Sequence, residues 1–370
     1  MNASIAGRST ESPYNRRPVH DFARRLIAWQ RRHGRHGLPW QGTRDPYRVW
    51  LAEVMLQQTP VATVIPYYRR FLARFPDVAA LARAPLAEVL RLWSGLGYYA
   101  RARHLHAAAR AIVREHGGRF PDTVEALAEL PGVGRSTAAA IAVFAFGRRA
   151  AILDGNVRRV LARYFGLQGE RAQWRLAESL VPARDVEIYT QALMDLGATV
   201  CTRARPACER CPVADRCIAR RESRIAELPA PRARAKRAVR RARWLVLLDR
   251  GRVLLERRPA PGLWGGLWAF PELDGPPARV CRDRLGCAVG RVERLAPIEH
   301  EFTHFRLRAQ PLLCRLEGGA RAPRARGRRW FALAGAAQAA VPAPVKKLLL
   351  RLREELGERG EPRRAVVEFQ

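Results

Sequence analysis

The stretch LPGVGRSTAAAIAVFAF at residues 130–146 constrains the fold more than any other part of the chain. Pro131 fixes one backbone φ angle, and Gly132 and Gly134 supply the freedom that a tight turn requires. The small residues that follow, from Ser136 to Ala145, predict a buried helix. A turn that leads into a helix presents unpaired backbone N–H groups, which suit a phosphate. Taken alone, the stretch fits a purely structural helical hairpin equally well.

Four of the seven cysteines form the second constraint, because Cys201, Cys208, Cys211 and Cys217 follow the spacing C-x6-C-x2-C-x5-C. So many thiols in one short loop indicate metal binding rather than core packing. Their chemistry suits either tetrahedral zinc or an iron–sulfur cluster. The odd number of cysteines and the lack of an export signal argue against a disulfide framework and favour a reducing cytoplasm. The remaining cysteines are expected to be small buried apolar side chains: Cys281, Cys287 and Cys314.

Positive charge predominates in the chain. Its 370 residues include 67 Lys and Arg against 34 Asp and Glu, a net charge of +33. Such an excess favours a polyanionic partner, with nucleic acid first and an anionic membrane second. No segment approaches the apolar length of a membrane span. Almost all the basic residues are arginine, as a biased genomic base composition would also produce. The net charge therefore supports the inference of a nucleic-acid partner but does not carry it alone.

Several further motifs resemble one family of proteins. They are LPW at 38–40, EVMLQQT at 53–59, GLGYYARA at 95–102, and PGVGRST followed by ILDGNVRRV. These motifs are similar to those of the helix-hairpin-helix DNA glycosylases of the endonuclease III superfamily. Within that superfamily the chain most resembles the adenine DNA glycosylases of the MutY type, which remove adenine mispaired with 8-oxoguanine. The resemblance extends from about residue 20 to about residue 350.

The resemblance implies a multidomain protein. Its fold class is an all-α helix-hairpin-helix glycosylase core with an iron–sulfur cluster loop, plus an α+β Nudix-like C-terminal domain. The expected division is a disordered tail at 1–17, a helical domain at 18–227, a basic linker at 228–243, a Nudix-like recognition domain at 244–357 and a tail at 358–370. The helical domain would contain the hairpin at 123–146 and the cluster loop at 201–217, which the resemblance assigns to [4Fe–4S].

The expected recognition domain resembles the MutT type through GLWGGLWAFPE at 262–272. A working Nudix hydrolase binds metal with a glutamate-rich helix. The corresponding region, CRDRLG at 281–286, lacks those glutamates. We therefore expect a recognition module rather than a pyrophosphatase. The Pro-, Ala- and Arg-rich linker is expected either to be solvated or to touch phosphates without reading bases.

Two carboxylates suit the hydrolysis of an N-glycosidic bond, because the leaving base needs a proton and the sugar develops positive charge. Glu53 lies in the apolar stretch WLAEVML, where burial would raise its pKa. Local sequence alone favours an exposed Glu53 and a helix-capping Asp154. The resemblance implies that Glu53 protonates adenine and then helps to activate water. It also implies that Asp154 stabilises the sugar cation, through a covalent intermediate, and that Asn156 orients these groups.

Ser136 separates two classes of glycosylase. Endonuclease III-type enzymes carry a lysine at the matching position, which attacks the sugar and permits strand cleavage. A serine cannot form that Schiff base. We therefore expect a monofunctional glycosylase with at most weak lyase activity.

The resemblance also assigns residues that bind the target base after it has been flipped out of the duplex, and residues that fill the space it leaves. Trp40, Leu56, Gln191 and Ser136 would line the substrate pocket, and Gln58, Leu96 and Tyr98 would form a wedge in the DNA stack. Leu130, Gly132, Val133 and Gly134 would bind phosphate. Phe302, Thr303 and His304 would read 8-oxoguanine, in place of the family's Phe-Ser-His. Thr303 keeps the hydroxyl group of the family's serine, so hydrogen bonding to the base is preserved. Its additional methyl group is expected to narrow the space for 8-oxoguanine.

The expected partner is duplex DNA with A:8-oxoguanine or A:G mismatches, bound by a cytoplasmic, nucleoid-associated monomer. Three other functions remain open from the sequence. They are a bifunctional endonuclease III-type glycosylase/lyase, a non-enzymatic DNA-binding protein and a nucleotide pyrophosphatase. Ser136 and the C-terminal third oppose the first, the two carboxylates oppose the second, and the missing glutamates oppose the third.

Overall fold

The structure, a computed structural model, describes residues 16–230, 237–260, 262–302, 304–317 and 325–358. They form two compact units. The first contains the described residues of Met1–Leu72, Asp77–Ala79 and Ala107–Ala233. The second contains those of Ala73–Pro76, Ala80–His106 and Arg234–Gln370. In these described ranges, no helix has the length and apolar character needed to cross a membrane.

Helices occur throughout the described chain, whereas strands begin only at Ala238. The helices are α1 Arg16–His33, α2 Pro46–Leu56, α3 Val61–Arg74, α4 Val78–Arg83, α5 Leu86–Trp93, α6 Tyr99–His116, α7 Val124–Ala128, α8 Arg135–Phe146, α9 Gly155–Phe165, α10 Glu170–Leu180, α11 Val186–Asp195, α12 Ile218–Arg221, α13 Pro277–Val280, α14 Leu333–Ala336 and α15 Ala343–Glu358. The strands are β1 Ala238–Asp249, β2 Arg252–Arg257, β3 Trp268–Ala269, β4 Val289–Arg294, β5 Ile298–Glu301, β6 Phe305–Leu316 and β7 Arg328–Ala332.

In the first unit, α1 packs on α10 and α11, while α8 packs on α2 and α7. Apolar side chains of α1, such as Phe22 and Leu26, join Val157 and Leu161 of α9 in one buried cluster. Asp45 is the N-cap of α2 and accepts hydrogen bonds from the N–H groups of Tyr47 and Arg48. This packing holds α2 and α9, which carry the two predicted catalytic carboxylates, in the same unit.

The predicted buried helix after the hairpin turn is confirmed as α8, whose residues Ala138–Val143 are all buried. Small side chains allow the neighbouring helices to approach it closely. The last long helix of this unit, α11, changes its geometry before the cysteine loop. The α-helix stops at Asp195, and Leu196–Val200 form a wider π-type turn that leads directly into Cys201.

The second unit is built on a mixed sheet in the order β3-β2-β1-β6-β4, with β5 also paired to β6 and β7 to β2. β1 and β6 run parallel from Ala238↔Phe305 to Leu248↔Arg315. The sheet core contains Leu245, Leu254 and the three cysteines outside the metal loop. The interpretation of those cysteines as buried apolar side chains is confirmed. The α+β class expected for this part is also confirmed.

Three boundaries differ from the sequence-based expectation. Residues 238–243, expected to belong to a linker, form the first half of β1, because β6 supplies their backbone partners. Arg16 and Arg17, expected to lie in the tail, belong to α1. The expected strand at 263–270 shrinks to Trp268–Ala269, because it starts with a turn in which Trp264 has a φ of 61°. Residues 1–15, 231–236 and 359–370, from the predicted tails and linker, lie outside the described residues.

Residues 80–106 belong to the second unit although the sequence assigned them to the helical domain. Two hydroxyl groups join them to one carbonyl there. Ser94 Oγ lies 2.9 Å and the Tyr99 hydroxyl 3.2 Å from Val341 O. Arg103 Nη1 also donates to Gly265 O at 3.0 Å. The domain limits of 18–227 and 244–357 therefore stay a prediction.

Candidate active site

Glu53 lies on α2, surrounded by apolar side chains of the same helix such as Trp50, Met55 and Val54. Its own side chain is partly buried and lines a cavity. Burial, reinforced by the nearby negative charge of Asp154, raises the pKa of Glu53 to about 8. A carboxyl group with this pKa holds its proton at neutral pH and can donate it.

Asp154 caps the N-terminus of α9. Its carboxylate accepts a hydrogen bond from Val157 N at 2.8 Å, as the local sequence predicts for an N-cap. Burial raises the pKa of Asp154, while hydrogen bonds from the N–H groups of Val157 and Asn156 and the charge of Arg159 oppose that rise. Asp154 therefore has partners that favour its ionised form, whereas both burial and the charge of Asp154 favour the protonated form of Glu53.

The two carboxylates border two adjoining cavities in the first unit. One has a volume of about 850 Å³ and the other about 1100 Å³. Glu53, Asp154 and Asn156 line both. The smaller cavity also contains Trp40, Leu56 and Gln191, whereas Ser136 lies in the larger one. The structure thus brings together the predicted catalytic trio and all four predicted pocket residues, divided between two spaces.

Arg159 stabilises the active-site turn, by which we mean residues 154–156 at the start of α9. Its Nη2 donates to Asn156 Oδ1 at 2.8 Å and to Gly197 O at 2.6 Å, and its Nε donates to Cys201 O at 2.7 Å. A Cβ atom at Gly197 would lie 2.6 Å from the Cβ of Asn156. Close contact with Gly197 and the hydrogen bonds of Arg159 therefore fix the position of Asn156, and the same arginine reaches the start of the cysteine loop.

Sequence analysis missed a buried carboxylate below the smaller cavity. Asp195 is fully buried, at 0 % exposure. Arg35 donates to its Oδ1 from Nε at 2.8 Å and from Nη2 at 2.6 Å, and Gln191 Nε2 donates to the same oxygen at 2.8 Å. The signal was present in the sequence, because Asp195 stands in the apolar stretch ALMDLGATV four residues after Gln191. Buried acids of this kind are rare unless they are paired.

The four cysteines of the loop all line one small cavity. Buried Arg163 closes part of it, with Nη1 3.5 Å from Cys201 Sγ and 2.7 Å from Thr202 O. Within the described residues, no three His, Cys, Asp or Glu side chains converge closely enough to hold a single metal ion. Four thiol side chains around one cavity are a donor set that suits a metal site, either tetrahedral zinc or an iron–sulfur cluster.

The hairpin turn offers fewer donors than the sequence suggested. The N–H groups of Leu130 and Val133 donate to the carbonyls of Leu127 and Leu130, at 3.2 and 3.0 Å. Those two N–H groups already have partners inside the hairpin, and the assignment of Leu130, Gly132, Val133 and Gly134 to phosphate stays a prediction. Gly132 and the N-cap Gly134 carry the remaining donors, and no side chain caps α8 in front of them.

Of the three predicted wedge residues, two adopt strained backbone conformations. Gln58 has a φ of 57° and Tyr98 a φ of 49°, in the left-handed region that non-glycine residues rarely occupy. Tyr98 is 48 % exposed, which is unusual for a large aromatic side chain in this protein. Leu96 is only 5 % exposed. Its side chain is packed in the core of the free protein, and its role as a wedge stays a prediction.

The predicted 8-oxoguanine reader lies just before β6. Phe302 stacks on Phe305 with ring centroids 4.4 Å apart and meets the edge of His300 at 4.6 Å. His304 is exposed. Thr303 lies outside the described residues.

Comparison with known proteins finds a matching family model for the N-terminal part of the chain and another for the C-terminal part. Residues 51–182 match the model of the HhH-GPD superfamily of base excision DNA repair proteins, and residues 243–351 match the NUDIX domain. An adenine DNA glycosylase of Buchnera aphidicola is 32 % identical over 345 residues, which cover 90 % of this chain and 98 % of that protein. The human adenine DNA glycosylase is 35 % identical over 400 residues, covering 88 % of this chain and 73 % of its relative.

A solved structure shares the helical fold. It is a thermostable thymine-DNA glycosylase, 32 % identical, with a TM-score of 0.53 over 56 % of this chain and 98 % of its own. Fold and site together define a base excision DNA repair protein of the helix-hairpin-helix class with a Nudix domain. More narrowly, the chain belongs to the adenine DNA glycosylase family. The predicted fold class and the predicted enzyme class, a hydrolase of N-glycosyl bonds, are thereby confirmed.

Proposed function

We propose that this enzyme removes adenine mispaired with 8-oxoguanine or guanine in duplex DNA. The observation that carries the proposal is the pair of unlike carboxyl groups on one cavity. Burial raises the pKa of both groups, to about 8 for Glu53, but Asp154 also receives hydrogen bonds from Val157 and Asn156 that favour its ionised form. One protonated and one ionised carboxyl group are what N-glycoside hydrolysis requires.

In this mechanism the adenine nucleotide leaves the stack, and its base enters the smaller cavity beside Trp40, Leu56 and Gln191. Protonated Glu53 donates its proton to the base as the bond between base and sugar breaks. The resulting carboxylate of Glu53 takes a proton from water, and the hydroxide oxygen bonds to the sugar. Between these steps a carboxylate oxygen of Asp154 bonds to the anomeric carbon of the positively charged sugar. That bond breaks when the water oxygen attacks the same carbon, which frees the Asp154 carboxylate, and Asn156 holds the geometry.

The larger cavity suits the sugar and phosphate backbone. Arg158, Arg159 and Arg203 line it, and so does Gly134 at the start of α8. Arginine and free backbone N–H groups bind phosphate oxygens without reading the base. Gln58 lies at the same cavity, where it can fill the space left by the extruded base, and Tyr98 acts as the second wedge residue. We place the protein as a monomer on chromosomal DNA in the cytoplasm.

The enzyme is monofunctional in this account. Ser136 Oγ accepts a hydrogen bond from Leu153 N at 3.1 Å and therefore supports the segment that precedes Asp154. A serine in this position has no amine with which to attack the sugar. Water is thus the nucleophile that completes hydrolysis after the base has left, and the DNA strand stays intact until alkali is added.

We also propose that the enzyme contains one [4Fe–4S] cluster held by Cys201, Cys208, Cys211 and Cys217. The group would supply four metal–thiolate bonds that fix the shape of the loop. Arg203, Arg205 and Arg210 of that loop would then face the DNA backbone. In the second unit, Phe302, Thr303 and His304 would contact the 8-oxoguanine opposite the adenine.

A single assay tests the function. Protein is mixed with duplexes that carry adenine opposite 8-oxoguanine, adenine opposite guanine, or thymine opposite guanine, and abasic sites are counted before and after alkali. We expect adenine release from the first two duplexes and strand breaks only after alkali. Release of thymine alone would overturn the substrate. Strand breaks without alkali, together with a borohydride-trapped adduct lost in Ser136→Ala, would overturn the monofunctional mechanism.

A further inference from the structure

Gln191 lines the smaller cavity, into which the base is proposed to enter, and one of its two amide atoms already has a hydrogen-bond partner. Its Nε2 donates to Asp195 Oδ1 at 2.8 Å. Its Oε1 receives no hydrogen bond from the described part of the chain, and Gln191 lines the smaller cavity. A glutamine amide can turn over and exchange its donor and acceptor, so the group that holds it decides which atom meets a ligand.

Asp195 has no capacity to hold Gln191 in the opposite orientation. Five N–H groups point at its two oxygens. Besides the three bonds at Oδ1, Oδ2 accepts from Arg35 N at 2.7 Å and from Gln30 Nε2 at 3.0 Å. All five contacts are donated by nitrogen atoms, and Arg35 forms an ion pair with Asp195, so both oxygens act as hydrogen-bond acceptors. A turned Gln191 would place its oxygen against a carboxylate oxygen and leave both unsatisfied.

We propose that Asp195 is a specificity-determining positioning residue: it fixes Gln191 with Oε1 toward the base cavity, so that the excised base must donate a hydrogen bond there. This inference rests on the proposed function and deepens it. Adenine carries an exocyclic amine donor on its edge, whereas a 6-oxopurine carries an acceptor at the same position. The fixed acceptor of Gln191 therefore attracts the first and repels the second.

The size of the effect follows from the burial of the network. A site that is built to bond one substrate group discriminates strongly against an analogue with the wrong group, because buried polar atoms remain unpaired. Arg35 and Gln30 restrain Asp195 but do not touch the base in this scheme. Their loss should reduce stability without reversing the orientation of Gln191, as long as the carboxylate remains.

The test compares single-turnover excision of adenine and of hypoxanthine, each opposite 8-oxoguanine in the same duplex. The variant is Asp195→Asn, whose amide can donate as well as accept and so no longer selects one orientation of Gln191. We expect the adenine-to-hypoxanthine rate ratio to fall about tenfold or more. In a Gln191→Ala background, Asp195→Asn should change that ratio by less than about twofold, because the two residues act as one unit.

Arg35→Lys is the matched control, since it disturbs the same buried ion pair but keeps the carboxylate. We expect it to lower the melting temperature and leave the rate ratio close to the wild-type value. An equal fall of the ratio in Arg35→Lys, or a fall of both rates by one factor in Asp195→Asn, would overturn the inference in favour of a purely structural Asp195.

A variant that leaves Asp195 intact covers the case in which Asp195→Asn does not fold. Gln191→Ala on its own leaves Asp195 in place and removes the acceptor, so it should lose the preference for adenine. An adenine-to-hypoxanthine ratio that stays at the wild-type value in Gln191→Ala would contradict the inference. If the wild-type protein released neither base, the proposed function itself would fail, which distinguishes the two results.

Discussion

Asp154 performs two tasks with one side chain, and they can be separated by substitution. Its Oδ1 caps α9 through the N–H of Val157, and its negative charge faces the cavity. The sequence alone could not decide between these roles, because ILDGNV is a common N-cap pattern. In the structure the cap is itself the device that aims the charge, since the helix N-terminus holds the carboxylate in place.

We expect Asp154→Asn to keep the cap but to lose excision, whereas Asp154→Ala loses both. An asparagine caps a helix as well as an aspartate does, and removal of the cap costs about 1 kcal/mol. The melting temperature of Asp154→Asn should therefore stay at or above that of the wild type. Thermal unfolding and single-turnover excision measure the two effects. Comparable excision by Asp154→Asn and the wild type would exclude the charge as the important property.

Glu53 should also make stability depend on pH. Its folded pKa of about 8 exceeds the ordinary value of 4.5, so the neutral form is favoured by folding. The stability that this preference contributes is complete below about pH 4.5, declines as pH rises toward 8, and is absent above it. Glu53→Gln, which has no charge to bury, should therefore gain stability relative to the wild type over that range. Melting temperatures at pH 5, 7 and 9 test this; a constant difference would contradict it.

At the level of elements, the sequence predicted helices better than strands. The limits of α3 and α5 follow from apolar spacing and agree with the structure, because each helix buries one face. The first half of β1 could not be found in this way. Its residues from Ala238 to Arg241 are exposed and mostly basic, and they become a strand only through pairing with the distant β6.

The candidate site shows the same contrast between residues that a local sequence pattern reveals and residues that only long-range packing brings together. Glu53 and Asp154 stand in local patterns that sequence can interpret, an acid among apolar residues and a cap before a helix. The Arg35–Asp195–Gln191 network joins residues 160 positions apart, and only the packing of α11 brings them together. Leu96 was predicted to be a wedge because it precedes Tyr98 in the family motif GLGYYARA, whereas in the structure its side chain is buried.

The contact between Gly197 and α9 should be sensitive to a single methyl group. In Gly197→Ala the new Cβ would lie 2.6 Å from Asn156 Cβ and 3.1 Å from its backbone, so α9 must move. We expect a loss of about 1–3 kcal/mol in stability, as for other overpacked sites, and slower excision. Gly155→Ala is the control for stability, since an added Cβ there meets nothing within 4 Å. Equal melting temperatures for the two variants would contradict the close fit.

At the scale of the whole molecule, the cysteine loop at 201–217 and the net charge of +33 suit a protein that contacts DNA phosphates at more than one place. Arg159 joins the loop to the active-site turn through Cys201 O and Asn156 Oδ1. A loop fixed by a metal group would thus also fix the residues next to Asp154. The sequence could predict the loop and the charge, but it could not show this connection.

We expect purified protein to contain about four iron and four sulfide per chain and to absorb visible light broadly. Cys208→Ser should lower the iron content and the melting temperature. Cys281→Ser, which alters a buried thiol of the sheet core, should keep the iron. Metal and sulfide analysis with the absorption spectrum gives the answer. One zinc per chain in colourless protein would contradict the assignment.

The central claim is that protonated Glu53 delivers the proton that releases adenine. The most direct measurement is the single-turnover rate of adenine release by Glu53→Gln, next to Glu187→Gln. Glu187 lines the same cavity but is bound to Arg44 at 2.6 Å, so it should not donate a proton. The account predicts that Glu53→Gln slows release by at least about 100-fold, while it still binds the mismatched duplex, and that Glu187→Gln stays close to wild type. Release by Glu53→Gln at the wild-type rate would contradict it.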